Sequence, residues 1–169
     1  MNIKRGYKRL NIDMTPDYGH MQYEFNVPYH LEGDLEICRN GYHLCKNMLD
    51  TIRFYDSEDS RLFEVEYNAD NCIEDKNKLC SDYIKIVKEV SQEEYHNHIK
   101  EYIKNNDITN EAWEIGYEIA KQGYGLDILI NDKDPDIREE VAKQGFGLDV
   151  LINDDDTYVR KEVAKQGYG

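Results

Sequence analysis

The chain has 169 residues and a formal net charge of −14, with 35 acidic against 21 basic side chains. This length allows one ordinary domain or two small ones, and 40% hydrophobic with 11% aromatic residues is the composition of a folded protein rather than a disordered one. The negative charge repels phosphate backbones, so it argues against direct nucleic-acid binding and favours a partner with a basic surface.

The start of the chain is polar, and no stretch approaches the length of a membrane span. We therefore expect no signal peptide and a cytoplasmic protein. In that compartment its four cysteines, Cys38, Cys45, Cys72 and Cys80, are expected as reduced thiols. The negative charge is spread along the chain: residues 106–169 hold 15 acidic and 7 basic side chains, a net of −8, and residues 1–105 carry the remaining −6.

Residues 1–90 are predicted to be an α+β domain, a small antiparallel sheet plus one helix. The predicted elements are strands at residues 21–27, 35–38, 62–67 and 83–90 and a helix at residues 45–55. Phe63, Val65 and Tyr67 alternate with Leu62, Glu64 and Glu66, which indicates a half-buried strand. Residues 83–90 are predicted to be buried on both faces.

The densest motif of this domain is Gly41-Tyr42-His43-Leu44-Cys45. Together with Tyr23, Tyr29, Tyr55 and residues 61–65, it resembles a domain of unknown function that is common in phage and prophage proteins and is centred on a Gly-aromatic-His-x-Cys core. The resemblance covers about residues 5–92. It implies a mobile-element origin, hence a bacterial host cell, and no established chemistry.

The same motif contains a cysteine and a histidine, a pair that can act as nucleophile and base. No third orienting group is identifiable, so a structural role in a turn and core is favoured. The cysteine spacings, Cys-x6-Cys and Cys-x7-Cys separated by 26 residues, differ from the tight knuckles of structural zinc sites, with or without His43. We therefore predict no metal and no cofactor, and four cysteines buried as small hydrophobic side chains.

An enzyme is the first alternative function. Glu64-Val65-Glu66 resembles the paired glutamates of ADP-ribosyltransferases, and Tyr42-His43 resembles part of their nicotinamide pocket. This resemblance implies catalytic roles for Tyr42, His43 and Glu66, although the glutamate pair of that family belongs near the end of its fold. Alternating acids on the polar face of a strand explain the same pattern without chemistry, so the main interpretation has no catalytic residue.

Residues 91–106 are predicted to be a connecting helix. Ser91 and Glu94 form a capping box at its start, and an Asn-Asn-Asp run ends it. His96 and His98 lie two residues apart on this charged helix, so they face away from each other and are predicted to be solvated.

Residues 107–169 contain a 22-residue repeat, present about two and a half times. Runs that begin at Glu118, Glu140 and Glu162 continue with Ile or Val, then Ala-Lys-Gln-Gly, an aromatic residue and a second glycine. Each unit is predicted to be a short helix pair, opened by a cap such as Asp134-Pro135 and closed by a glycine. Neither helix can bury its apolar face alone, so stacked units are predicted to form a short α-solenoid.

Within these units, residues 132–142 and 154–164 resemble leucine-rich-variant and HEAT-like repeats, in which an arginine follows a buried aliphatic residue. The corresponding arginines are Arg138 and Arg160. The resemblance covers about residues 107–169. It implies short antiparallel helices in an array that binds other macromolecules.

A cluster of acidic residues recurs once per repeat, and these clusters would form a negative ridge when the repeats stack. Helix capping explains one aspartate per repeat, which leaves the others for a partner. The predicted partner-binding residues are Asp132, Asp134, Asp136, Asp154, Asp155, Asp156 and Tyr158. The aromatic residue between two glycines, Tyr124, Phe146 or Tyr168, is predicted to be a buried anchor, with a contact surface as the alternative.

These patterns favour a non-catalytic protein-binding protein of phage or prophage type. The concrete hypothesis is an anti-CRISPR-like inhibitor of a host nucleic-acid-directed defence system, which would occupy a basic channel by charge mimicry. The expected partner is a protein with a basic surface, such as a nucleic-acid-binding effector complex, with no direct nucleic-acid or membrane binding. The second alternative is a structural scaffold component, in which case self-association through the last, incomplete repeat is expected.

Overall fold

The computed structural model of the protein describes residues 1–18 and 21–168. The chain divides into two compact units, Met1–Tyr95 and His96–Gly169. Antiparallel β-sheets form the first unit and several short helices follow, so the predicted α+β class is confirmed. Within the described part of the chain, no helix is both long enough and apolar enough to cross a lipid bilayer.

The first unit contains two antiparallel sheets. The strands are β1 Ile3–Asn11, β2 Pro28–His30, β3 Tyr42–Leu44, β4 Ser60–Asn68, β5 Cys72–Asp75, β6 Lys78–Ser81 and β7 Tyr83–Glu89. The larger sheet has the order β1-β4-β7-β2, and the smaller sheet has the order β3-β6-β5. Phe63, Val65 and Tyr67 of β4 are buried, which confirms the alternation predicted for this strand.

A close contact joins β1 to the end of β3. The backbone amides of Tyr7 and Cys45 each donate to the other residue's carbonyl, at 2.7 and 2.8 Å. Gly6 lies beside this bridge, and a Cβ atom there would be 2.5 Å from a methyl carbon of Leu44 and 2.9 Å from the Cys45 carbonyl oxygen. The strands approach this closely because residue 6 has no side chain.

Two predicted strands are wrong. In residues 21–27, Asn26 has a φ of 61°, and only an isolated bridge joins Phe25 to Ile86. In residues 35–38 the backbone forms a turn that contains Cys38, whose φ is 65°. Each segment contains a residue in the left-handed region, and hydrophobic periodicity carries no signal for that conformation.

Two other predictions for this unit need correction. The helix predicted at residues 45–55 is only a short 3-10 helix, Leu49–Arg53. Strand β7 is confirmed as a strand but not as one buried on both faces: Ile84 and Ile86 are buried, whereas Lys85 and Val87 are partly exposed. One face of β7 therefore meets the core and the other is partly exposed, as is common in antiparallel sheets.

Helix α1, Gln92–Asn105, begins as predicted. The Ser91 hydroxyl accepts from the Glu94 amide at 3.2 Å, and the Glu94 carboxylate accepts from the Ser91 amide at 3.0 Å, which is the capping box. The prediction of solvated histidines is wrong, since both are half-buried. His96 Nε2 lies 3.1 Å from Gln122 Oε1, and burial lowers the pKa of His98.

The second unit continues with pairs of a nine-residue and a four-residue helix. These are α2 Trp113–Lys121, α3 Leu126–Leu129, α4 Pro135–Lys143, α5 Leu148–Leu151 and α6 Thr157–Lys165. Helix α2 packs on α4, and α4 packs on α6. Their buried faces use residues 22 positions apart, as in Ile119, Val141 and Val163, each fully buried.

Polar contacts also recur along these helices. The Arg138 guanidinium donates to both carboxylate oxygens of Asp154 at 2.8 Å and to the Asp132 carbonyl oxygen at 2.8 Å, so it joins successive 22-residue units. A buried glutamate occupies the same position in α4 and α6, and a glutamine four residues later donates to it, as Gln144 does to Glu140 at 3.2 Å. Such contacts satisfy the polar groups that lie between packed helices.

Candidate functional site

A cleft of about 590 Å³ lies in the first unit. Its walls come from β1, the loop segments at residues 16–18 and 38–41, the end of β3, the 3-10 helix with the two residues after it, and Lys78 of β6. The lining side chains that matter here are Lys8, Arg9, Arg39, Arg53 and Lys78, which are cationic, and Phe54 and Tyr55, which are aromatic. Concave sites of this volume commonly hold small molecules.

Lys8 is the most unusual side chain of the cleft, since it is a lysine with only 8% of its surface exposed. Its Nζ donates to the His43 carbonyl oxygen at 2.7 Å and lies 5.8 Å from the centre of the Tyr23 ring. Burial lowers the pKa of Lys8 from 10.5 to about 8. The ammonium group is still charged at neutral pH, in a setting that disfavours the charge.

His43 and Cys45 line the same cleft, but neither is in the state that catalysis requires. Burial, with help from Lys8 and Lys78, lowers the pKa of His43 to about 4, and its Nε2 accepts a hydrogen bond from the Cys38 amide at 2.8 Å. Burial raises the pKa of Cys45 to about 12. A nucleophilic cysteine needs the opposite shift, so this pair fits a packing role better than a chemical one.

The three residues of the enzyme alternative do not converge on this cleft. His43 lines it, whereas the neighbouring Tyr42 is buried in the core and its hydroxyl donates to the His30 carbonyl oxygen at 3.3 Å. Glu66 lies on β4 of the other sheet, where its carboxylate pairs with Arg5 at 3.0 Å and with Lys85 at 2.5 Å. Successive residues of a strand face opposite sides, which separates Tyr42 from His43.

The four cysteines are free thiols. The prediction that all four are buried is wrong: Cys45 and Cys80 are buried, Cys72 is partly exposed and Cys38 is exposed. Among residues 1–18 and 21–168, no group of three His, Cys, Asp or Glu side chains is placed to hold a metal ion.

Four of the predicted partner-binding aspartates form capping turns in the second unit. Asp134 and Asp156 are helix N-caps, whose carboxylates accept from the amides of Asp136 and Tyr158 at 3.0 and 2.7 Å. Asp132 and Asp154 accept from the amide two residues later, at 2.8 Å. Capping turns therefore involve two aspartates per repeat rather than the one expected from the sequence.

The remaining predicted residues are exposed. They are Asp136, Asp155, whose side chain is 93% exposed, and Tyr158, which is 68% exposed. Asp155 also pairs with Arg138 at 2.7 Å.

The prediction of buried aromatic anchors is wrong for two of three repeats. Tyr124 is half-buried, with the Lys100 ammonium 5.5 Å from its ring centre, but Phe146 and Tyr168 are exposed. Ile128 of α3 and its repeat equivalent Val150 of α5 are exposed as well. The alternative of a contact surface therefore agrees better with where these side chains lie.

A family model for a domain of unknown function, DUF7666, matches residues 4–98, which is more than half of the chain. The protein belongs to the DUF7666 family. No curated protein matches the chain, and no solved structure matches it.

All residues that line the cleft fall inside the DUF7666 region. Sequence reasoning found His43 and Cys45 but missed the cationic lining, because its members are scattered between residues 8 and 78 and are brought together by antiparallel pairing. The only available signal was weak: Lys8 and Arg9 stand side by side in a strand that was itself not predicted, since its sequence is rich in charged residues.

Proposed function

We propose that this DUF7666 protein is a non-catalytic binding protein whose C-terminal repeats bind a protein partner with a basic surface. The observation that carries the proposal is that exposed apolar side chains recur with the 22-residue period and stand next to exposed aspartates. Ile128 and Val150 are 38% and 56% exposed, and each follows an exposed aspartate, Asp127 or Asp149. Apolar side chains beside charged ones are what a protein–protein interface uses.

The helices of the second unit are proposed to form a short α-solenoid of the leucine-rich-variant or HEAT-like kind. Three features support this. Helices α2, α4 and α6 pack in sequence, equivalent aliphatic residues are buried in each, and Arg138 bonds to Asp154 of the next repeat. In such arrays the residues that face outward at repeat-equivalent positions form one continuous surface.

The concrete form of the proposal is an anti-CRISPR-like inhibitor of phage or prophage origin. Its support is the net charge of −14 in a chain of 169 residues and the resemblance of the motif around His43 to a domain common in phage proteins. A negatively charged surface of this kind would compete with nucleic acid for the basic channel of a defence effector. The cell of a bacterial host is then the expected location.

The test begins with capture of partners from a bacterial host lysate on the immobilised full-length protein at low salt. A partner of this type elutes at high salt, since screening weakens charge attraction. The captured protein is then purified, and its affinity is compared for the native chain and for the variant Asp149→Lys with Val150→Ser. Loss of one favourable charge and one apolar contact is expected to weaken binding by about a hundredfold.

The matched control is Glu101→Lys, which makes the same charge change at a carboxylate on α1 that is 65% exposed. It is expected to change the affinity by no more than about threefold. A partner whose binding survives the paired change at Asp149 and Val150, or falls equally with the control, would contradict the repeat surface as the docking site. Purified partners without a basic surface would contradict the charge argument.

A further inference from the structure

The cleft of the DUF7666 region has a charge opposite to that of the chain. Among the described residues, its lining contains the five cationic side chains already named and a single acidic one, Asp17. The whole protein carries a net charge of −14. A concave surface with a low-dielectric floor concentrates its local potential at the opening, even when the sign differs from that of the whole molecule. The cleft is therefore suited to an anion.

Three of the cations form no ion pair in the part of the chain that the structure describes. Lys8, Arg9 and Lys78 have no carboxylate within 4.0 Å among the described residues. Arg9 is 5% exposed, and its guanidinium donates to the hydroxyls of Thr51 and Ser60 at 3.1 and 3.4 Å. Buried charges are normally paired, so neutral partners leave these charges available to an external anion.

The other two cations belong to ion pairs. Arg53 pairs with Asp50 at 3.1 Å, and Arg39 pairs with Glu36 at 2.9 Å in a pair whose side chains are both largely exposed. The Arg39 guanidinium is contacted through one nitrogen, so part of it is unused, whereas Arg53 also contacts the side-chain amide of Asn77. Arginine can therefore add donors to an anion that is already attracted by Lys8 and Lys78.

Aromatic side chains also line the cleft. Phe54 is 39% exposed and the Lys78 ammonium lies 4.1 Å from its ring centre, so one ring carries a cation on its face. Tyr55 lines the cleft next to it, and its hydroxyl accepts from the Asp17 amide at 3.0 Å. Aromatic faces next to cationic groups are a common way to hold a planar ring that carries phosphate.

We propose that this cleft binds a small phosphorylated molecule with a planar ring, of the nucleotide class. Lys8 and Lys78 hold the phosphate, Arg9 supplies charge from the floor, and Phe54 stacks on the ring. The volume of about 590 Å³ fits a single nucleotide. The acidic surface outside the cleft repels a long phosphate backbone, so the ligand is a small molecule rather than a nucleic-acid chain.

The test is isothermal titration calorimetry of the full chain at low salt with adenosine monophosphate, adenosine and inorganic phosphate. Adenosine monophosphate is expected to bind at least tenfold more tightly than either of the others. It alone has both a phosphate for the cationic side chains and a planar ring for the aromatic side chains. Lys78→Gln is expected to weaken its binding about tenfold, the usual effect of losing one charged contact. Lys8→Met is expected to do so by at least as much.

The matched control is Lys46→Gln, since Lys46 lies in the same unit, pairs with Glu74 at 2.6 Å and does not line the cleft. It is expected to leave the dissociation constant unchanged, and circular dichroism checks that each variant is folded. If Lys8→Met fails to fold, Lys78→Gln decides the outcome alone. Heat below detection with adenosine monophosphate at about 10 mM, equal binding of adenosine, or equal weakening by Lys46→Gln would each overturn the proposal.

Discussion

The two units of this protein use charge in opposite ways. In the DUF7666 unit, cations gather in a cleft where, among the described residues, Lys8, Arg9 and Lys78 hydrogen-bond to uncharged groups. In the helical unit, aspartates recur with the repeat, and several of them serve as helix caps. Net charge alone therefore describes neither unit: it hides a basic site in the first and overstates the number of acidic groups that a partner can reach in the second.

Single charged residues also affect stability in opposite directions in the two units. The Asp134 and Asp156 carboxylates stabilise the helices that they cap. Lys8 does the reverse, since burial of its ammonium group at neutral pH costs stability. A residue that weakens the fold in a cleft is a candidate for binding, whereas a residue that stabilises the fold needs no further role.

The largest expected effect tests which side of the repeat is buried and which side is exposed. Val141 of α4 is fully buried and Val150 of α5 is 56% exposed. Val141→Asp places a carboxylate between packed helices and is expected to lower the free energy of unfolding by about 4 kcal/mol or more. Val150→Asp is expected to change it by less than about 0.5 kcal/mol.

Chemical denaturation followed by helical circular dichroism measures both variants. Equal destabilisation by the two substitutions would mean that the buried and exposed sides of the repeat are assigned wrongly.

The next effect tests whether the aspartates of the helical unit hold successive repeats together. Arg138 forms a two-bond ion pair with Asp154, and the side chains are only 12% and 7% exposed. Arg160, its repeat equivalent, donates to the carbonyl oxygens of Asp154 and Asp155 and has no carboxylate within 4.0 Å in the described chain. Arg138→Ala is expected to cost about 3 kcal/mol because it leaves a buried carboxylate unpaired.

Arg160→Ala is the matched control. It removes only hydrogen bonds to neutral carbonyl oxygens, so it is expected to lower the free energy of unfolding by about 1 kcal/mol. Urea denaturation of the two variants decides between them. If Arg160→Ala lowers the free energy of unfolding as much as Arg138→Ala does, the Arg138–Asp154 ion pair does not stabilise the contact between repeats.

A third prediction concerns the cost of the buried lysine. The pKa of Lys8 is about 8 in the folded chain and 10.5 in the unfolded chain, so the unfolded chain binds more protons between these values. The contribution of Lys8 to the free energy of unfolding therefore rises with pH between about 8 and 10.5. At pH 7 the unfavourable contribution is on the order of 3 kcal/mol, and Lys8→Met also loses about 1 kcal/mol from the hydrogen bond to His43.

Lys8→Met is thus expected to raise the free energy of unfolding at pH 7 by about 2 kcal/mol, with the advantage gone near pH 10. The difference between native chain and variant is the quantity to plot, because the raised pKa of Cys45 lowers the stability of both above pH 9. An advantage that does not depend on pH would contradict the depressed pKa of Lys8.

The smallest effect separates capping aspartates from surface aspartates. Asp134→Ala removes the N-cap of α4 and is expected to cost about 1 kcal/mol. Asp136→Ala changes an exposed side chain on the same helix and is expected to cost less than about 0.5 kcal/mol. Thermal unfolding of both variants measures the difference, and reversal of their order would contradict the capping geometry.

The sequence predicted the parts of the fold that depend on strong periodicity or on local capping chemistry. Helix α1 with its Ser91–Glu94 capping box, the caps of the repeats and the alternation in β4 were all predictable in this way. Strand β1 was not, because it carries Lys4, Arg5, Lys8 and Arg9 in a strand of nine residues, and its pairing with β4 joins segments about 60 residues apart. Non-local pairing of polar strands leaves little trace in a single sequence.

The candidate cleft could not be predicted for the same reason. Its cations come from β1, from the turn before β3, from the 3-10 helix and from β6, and only the folded chain places them around one opening. The motif around His43 was found, but its histidine is a hydrogen-bond acceptor for the Cys38 amide rather than a base beside a nucleophile. Backbone contacts of this kind depend on the left-handed turn at Cys38, which periodicity does not reveal.

The most direct test of the contrast between the two units is titration of the full chain with adenosine monophosphate, followed through the backbone amide signals by NMR. We expect shifts confined to the DUF7666 unit, at Lys8, His43, Thr51, Tyr55 and Lys78, with no shift at Lys133 or Lys161 of the repeats. Shifts of similar size at those two lysines would mean that the phosphate group binds non-specifically to charged side chains on the surface. No shift at any cleft residue would contradict the assignment of opposite roles to the two units.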